Sequence, residues 1–184
     1  MTKNYVPKHI FLTKGVGRHK EQLASFELAL RKAGIAVFNL VNVSSIFPPH
    51  CRIVSKQAGL QMLSPGQIVF TVKSQAQTNE PHRLISASIG LARPTDPNLF
   101  GYLSEHHDFG KKEQEAGDYA EDLAAGMLAT TLGETEFDPE ESWDNKRELY
   151  KISNKIVKTR SITQTAVGRR SVWTTVVAAA VLIL

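Results

Sequence analysis

The chain has 184 residues, 42% hydrophobic and 22% charged, with 12 Gly and 8 Pro, an ordinary globular composition at a length that suits one domain. A chain of this size buries roughly 70% of the surface its unfolded form exposes, so it needs neither disulfides nor a structural metal. The single cysteine, Cys51, excludes an internal disulfide and a Cys-rich zinc site, and makes reducing, intracellular surroundings the default.

The opening MTKNYVPKHIFLTKG has a short apolar patch but neither the apolar h-region nor the cleavage site of an export signal, which points to the cytoplasm. Residues 9–13 predict a short strand, ended by Lys14-Gly15-Val16-Gly17-Arg18, whose glycines fit a turn better than a phosphate loop. Residues 20–34 predict a helix with Arg31 and Lys32 in its last turn and Gly34 at C′. On a wheel of about 100° per residue, Leu23, Phe26 and Leu30 form one stripe, with Glu27 inside it. A carboxylate on a core face costs several kcal/mol unless paired, by the general scale of ~3–5 for an uncompensated charge. Glu27 therefore either snorkels to water at the stripe's margin or is a recessed anion awaiting a cationic ligand.

Residues 35–41 predict a buried strand, and Pro48-Pro49 forbid its continuation beyond the pair Ser44-Ser45. Residues 67–73 and 84–92 predict two more strands, joined by a loop at Thr78-Asn79-Glu80-Pro81. A turn at residues 93–98 leads to a strand over 99–107 that ends in the ionisable run Glu105-His106-His107. The three-to-four spacing of Ala116, Tyr119, Ala120, Leu123, Ala124, Met127 and Leu128 predicts a long amphipathic helix, stopped by Gly133.

After an acidic connector over residues 134–141, residues 155–166 and the C-terminal run predict a hairpin turning at Gly168. The terminal run from Val172 to Leu184 is shorter than the ~20 residues of a membrane-spanning helix. Its many β-branched residues favour a core strand buried on both faces. Two helices and about seven strands suggest an α+β fold, with helices packed on antiparallel or mixed sheets.

The net charge of +4 conceals a segregation: 11 Asp or Glu and no Lys or Arg from Glu113 to Asp144, then eight Lys or Arg and one acid from Lys146 to Arg170. The basic stretch holds one aromatic, Tyr150, and no nucleic-acid motif. Patches that pair within the fold or between subunits explain the asymmetry at least as well as nucleic acid does. His106 and His107 point to opposite faces of a strand and lack a third ligand at useful spacing, so no metal is expected. Cys51 has no evident base partner, and Ser44 and Ser45 lack a Gly-x-Ser-x-Gly elbow.

Taken together, Ser25-Phe26-Glu27-Leu28-Ala29-Leu30, Ala33-Gly34-Ile35, Asn39-Leu40-Val41-Asn42-Val43-Ser44-Ser45-Ile46-Phe47-Pro48-Pro49 and Gly101-Tyr102-Leu103-Ser104-Glu105 resemble the pyruvoyl-dependent arginine decarboxylase family. The Asn-to-Pro-Pro stretch is the specific part, and the likeness extends over nearly the whole chain. It implies a four-layer α-β-β-α sandwich and a proenzyme that cleaves itself between Ser44 and Ser45. Residues 1–44 become the β chain, and residues 45–184 the α chain, capped by a covalent pyruvoyl group made from Ser45.

The resemblance further implies decarboxylation of L-arginine to agmatine through a Schiff base with that group. Glu105 would act as proton donor, Asn39 would position the site, and Glu27 would face the substrate guanidinium. Some members of the family carry the shorter Asp at the position of Glu27, which leaves strict arginine preference open. The family assembles as trimers with active sites between subunits, so a homo-oligomer is expected, a trimer or a trimer of trimers or hexamer, without nucleic-acid or membrane partners. A pyruvoyl decarboxylase for another amino acid such as histidine, and a non-catalytic basic binding module, are the competing readings.

Overall fold

The computed structural model describes residues 5–134, 136–144, 149–152 and 155–184. Two sheets stack face to face. The first is mixed, in the order β2 (Asn39–Asn42), β5 (Ile68–Thr78), β11 (Trp173–Ile183), β1 (His9–His19), β4 (Arg52–Ile53). The second is antiparallel, in the order β3 (Ile46–Phe47), β7 (Gly101–Phe109), β6 (Leu84–Pro94), β10 (Lys155–Val167), β9 (Leu149–Ile152), β8 (Trp143–Asp144). Helices α1 (Gln22–Ala33) and α2 (Lys56–Gln61) cover the first sheet. Helix α3 (Glu113–Thr131) covers the second, and the short α4 (Pro139–Ser142) follows it.

Three apolar clusters give the layers their order. Ile10, Val72, Ile89, Leu103, Val176 and Leu182 fill the space between the sheets. Phe11, Ala29, Ala33, Val69 and Val177 seal α1 onto the first sheet, and Ala124, Leu128, Ala129 and Val157 seal α3 onto the second. The result is the α-β-β-α sandwich of an α+β fold. No helix among the described residues is long and apolar enough to cross a membrane.

The C-terminal run is the central strand β11, buried along nearly its whole length and paired with β1 on one side and β5 on the other. It is not the second arm of a hairpin. A strand this apolar needs neighbours on both edges and cover on both faces. The chain therefore leaves β10, which pairs with β6 and β9 in the second sheet, and crosses to the first.

The glycines of Lys14-Gly15-Val16-Gly17-Arg18 do not make a turn either. They lie inside β1, which runs on to His19. A Cβ on Gly15 would stand 2.2 Å from the carbonyl oxygen of Ala29, and one on Gly17 2.0 Å from that of Ser25. These glycines let the α1 backbone settle directly onto the strand. That close approach also decides which face of α1 is buried. Ser25, Ala29, Leu30 and Ala33 point inward, whereas Leu23 is 78% exposed. The stripe of large residues drawn through Leu23 is thus not the core stripe, and Glu27 flanks the buried face, half-buried.

The strand expected over residues 35–41 is shorter and less buried. Ile35 is fully buried but belongs to the turn after α1, and β2 spans only four residues at the sheet's edge. Part of the basic stretch, at positions 145–148 and 153–154, and Thr135 of the acidic connector lie outside the described residues.

Candidate active site

The Ser44-Ser45 pair sits where the chain changes sheets. β2 forms one edge of the first sheet and β3 one edge of the second, so residues 43–45 bridge the open side of the sandwich. On the near side, β2 pairs in parallel with β5, and the Val43 amide extends that ladder to the Thr71 carbonyl at 3.0 Å. On the far side, the Leu103 amide donates to the Ser45 carbonyl at 2.7 Å, and Ile46 enters register with Tyr102 of β7. Phe47 and Pro48 then bury themselves, and the Cys51 amide returns to the Pro48 carbonyl at 3.2 Å.

Between these anchors the Ile46 amide donates to the Ser44 carbonyl oxygen at 3.0 Å. A bond from residue i+2 back to i is a γ-turn centred on Ser45. Ser45 is not among the residues with positive φ, so the turn has the inverse hand that L-residues adopt without strain. The Ser44 carbonyl is thereby polarised by a backbone N–H, and the Ser45 carbonyl is fixed by another.

Glu105 lies on β7, on the same face as Leu103 and hence toward the space between the sheets. Burial pushes its carboxyl above the usual range, and the Lys73 ammonium draws it partly back. Lys73, on β5, is held below the ordinary lysine range by burial, which Glu105 offsets in part. Its ammonium lies 4.9 Å from the centre of the Phe26 ring and donates to Gln75 Oε1 at 2.8 Å. Sequence reasoning passed over Lys73. The available signal was a lysine on the strand whose parallel partner, β2, leads into the serine crossing.

The other candidates are less gathered. Glu27 accepts from Arg31 Nε at 3.0 Å across one helical turn, with its side chain 43% exposed. The preceding residue, Phe26, is the α1 side chain that packs under Lys73. Asn39 begins β2, at the far end from the serines, and its side-chain amide donates to the Gly66 carbonyl at 2.7 Å. Within one chain, therefore, Ser44, Ser45, Glu105 and Lys73 share one edge of the sandwich, and Asn39 stands apart.

Residues outside this group have structural explanations. His106 turns to the opposite face, against Tyr119 of α3 with ring centres 4.5 Å apart, while His107 is exposed. Cys51 is buried, and burial pushes its thiol up to about 11, the reverse of what a nucleophile needs.

Comparison with known proteins agrees with the geometry. The family model described as pyruvoyl-dependent arginine decarboxylase matches residues 9–184. The chain is 57% identical over 180 residues to a probable pyruvoyl-dependent arginine decarboxylase of Chlorobium limicola, covering 98% of this chain and 99% of that one. It is 56% identical to the pyruvoyl-dependent arginine decarboxylase of Nitrosopumilus maritimus, covering 97% and 98%. To that of Methanococcoides burtonii it is 55% identical, covering 97% and 99%. With a family match along almost its whole length and a serine pair held in a braced crossing between two sheets, this chain belongs to the pyruvoyl-dependent arginine decarboxylase family.

Proposed function

We propose that the chain is a self-processing decarboxylase that converts L-arginine to agmatine and CO2, using a pyruvoyl group made from its own Ser45. The observation that carries the reading is the inverse γ-turn at Ser45, with the Ser44 carbonyl bonded to the Ile46 amide. In the first step Ser45 Oγ adds to the Ser44 carbonyl carbon. The bond from that carbon to the Ser45 nitrogen breaks, the nitrogen takes a proton, and an ester joins Ser44 to Ser45 Oγ. Loss of the Ser45 Cα proton then expels the Ser44 carboxylate and ends the chain of residues 1–44. Water converts the remaining dehydroalanine to a ketone with release of ammonia.

The Ile46 N–H is a preplaced donor for the oxygen that gains charge in the first step, and such a donor is worth about 2.7–4 kcal/mol in acyl-transfer sites. Anchoring on both sides supplies the orientation that makes an intramolecular attack fast. These residues fit a pyruvoyl group: the turn presents residue 45 on the open edge, and Glu105 faces the same edge.

The chemistry such a group supplies is an electron sink for the pair released with CO2. The chain's own residues do the remainder. Glu105 holds a proton for the substrate's α-carbon, and partial desolvation shifts its carboxyl toward the protonated form that this role needs. Glu27 binds the guanidinium. Its carboxylate already grips that group on Arg31, and an exposed pair of this kind contributes only about 0–1 kcal/mol, so substrate can displace it.

Asn39 acts on the site of a neighbouring copy. This follows from its distance from the serines of its own chain and accords with a trimer, or hexamer, whose active sites straddle interfaces. Exposed apolar side chains support it: Leu23 on α1 and Ile68 on β5 are 78% and 63% exposed, and Val37 before β2 and Val41 within it are exposed too. A cavity of about 460 Å³ lined by Val43, Ile46, Pro48 and Phe70 continues that surface beside the crossing. The cytoplasm, where thiols such as Cys51 stay reduced, is the compartment of this reading.

Intact-mass measurement of the purified protein tests it together with CO2 release from a panel of amino acids. Two fragments splitting at Ser44, a pyruvoyl terminus and a preference for arginine are expected. A single full-length chain with no decarboxylation overturns the proposal.

A further inference from the structure

A cavity of about 660 Å³ lies away from the serines. It opens beyond Pro48, at the end of the space between the sheets. Three cations from three strands converge on it: Arg52 of β4, Arg93 of β6 and Lys158 of β10. Arg93 and Lys158 stand directly opposite each other in the antiparallel ladder, and like charges in that position destabilise a sheet. Arg52 adds a third positive charge from the other sheet. None of the three forms an ion pair or a side-chain hydrogen bond among the described residues. Arg93 is moreover half-buried. His50 lies in the same wall.

One carboxylate, Asp96, also lines the cavity, its Oδ1 accepting from both the backbone and side-chain nitrogens of Asn98 at 2.9 Å, and the three cations outnumber it. The walls are stiff. Pro48, Pro94 and Pro97 contribute to them, and the His50 amide is tied to the Pro97 carbonyl at 2.9 Å. Phe47 and Leu99 add apolar surface. The volume falls within the ~300–1,000 Å³ of small-molecule sites. It is far larger than a free inorganic anion needs.

We propose that this cavity is a binding site for a small organic phosphate, with the Arg52 and Arg93 guanidinium groups and the Lys158 ammonium on the phosphoryl oxygens and the organic part against Phe47 and Leu99. Two guanidinium forks suit phosphate oxygens in bidentate fashion. The bound charge converts a mutual repulsion across β6 and β10 into a shared attraction. This inference does not depend on the decarboxylase reading, because none of the three cations touches the serine crossing.

The test is thermal unfolding and calorimetric titration at fixed ionic strength, with inorganic pyrophosphate and adenosine 5′-monophosphate as probes. Wild type should bind both saturably and gain several degrees in Tm, the nucleotide binding more tightly because only it reaches the apolar wall. Arg93→Gln and Lys158→Gln, made separately, should each weaken binding at least tenfold. Each should also raise the Tm of the ligand-free protein, because each removes a like-charge pair. A variant that merely misfolds would instead lower it. The proposal is overturned if neither probe saturates, or if wild type and variants respond alike. It is equally overturned if the ligand-free variants lose stability, or if they change the oligomeric state, which would assign the cations to an acidic surface of a second copy.

Discussion

The Leu103 amide donates to the Ser45 carbonyl at 2.7 Å, and Glu105 lies two positions further along the same strand, on the same face. One element thus fixes the plane of the peptide following the scissile bond and carries the acid proposed to act there. Since side chains alternate along a strand, this coupling is insensitive to small motions of the crossing: β7 moves both groups together.

In the proposed processing step the attacking group is Ser45 Oγ. Ser45→Ala should fold with unchanged secondary structure yet remain one chain of full length by intact mass, without decarboxylase activity. Glu105→Gln should behave differently. It should still be cut at Ser44, because the turn and both carbonyl donors are backbone groups, but lose about 10²–10⁴-fold in decarboxylation, the usual worth of a general acid. An uncut Glu105→Gln chain would place that residue in processing as well.

If Glu105 is the proton donor proposed above, Lys73 helps to set where its activity ends on the pH scale. Burial raises the Glu105 carboxyl, and the Lys73 charge opposes it by favouring the ionised form. The acid works while protonated, so activity falls as pH rises through its folded pKa. Removing the cation in Lys73→Met should raise that pKa further and move the alkaline limb of the kcat profile upward. A limb that stays in place, or moves to lower pH, contradicts the coupling. Lys73→Arg, which keeps the charge, should restore the wild-type position.

Gly17 tests the packing that orients α1 and with it Glu27. A Cβ there would lie 2.0 Å from the Ser25 carbonyl oxygen and 2.5 Å from the Ala29 nitrogen, both backbone atoms that cannot swing away. Gly17→Ala should therefore cost about 1–3 kcal/mol or more, the scale of overpacking, read from urea unfolding. Gly66, whose added Cβ would meet nothing within 4 Å but whose φ is +81°, provides a control in which only backbone strain is at stake.

How much of this was legible in the sequence follows from where the information lies. Helices α1 and α3, the turn at residues 93–98 and the strand character of the C-terminal run are local properties, and their spacing or composition announces them. Which strands pair is not local: β10 and β11 read as a hairpin because they are adjacent in the chain, yet each is claimed by stronger partners in a different sheet. Gly15 and Gly17 read as a turn because the α1 backbone they accommodate is invisible from β1 alone. At the site, the residues Ser44, Ser45, Glu27, Asn39 and Glu105 come from the family's motif. The amides of Ile46 and Leu103 carry no side-chain signature, and Lys73 becomes visible only once β5 is placed against the crossing.

Asn39 supplies the most discriminating test of the assembly. Its side chain is bonded to the Gly66 carbonyl at 2.7 Å, at the end of β2 remote from Ser45, and the proposal has it serve the site of a second copy. Asn39→Ala and Ser45→Ala chains should each lack decarboxylase activity alone. Refolded together, they should form mixed oligomers in which a cleaved Asn39→Ala chain meets the intact Asn39 of a Ser45→Ala neighbour, and a fraction of wild-type activity should return. Mass spectrometry of the mixture should show only the Asn39→Ala chain cut if Asn39 serves the decarboxylation step rather than processing. Complementation that never appears, with mixed oligomers verified by native mass, would confine the active site to one chain. The same result would leave the exposed Leu23, Val37 and Ile68 without a role at the reacting centre. Ile68→Lys, placed on the exposed apolar flank, should dissociate the oligomer and abolish activity while leaving the monomer folded, since a charge costs little on an open surface and much in a buried interface.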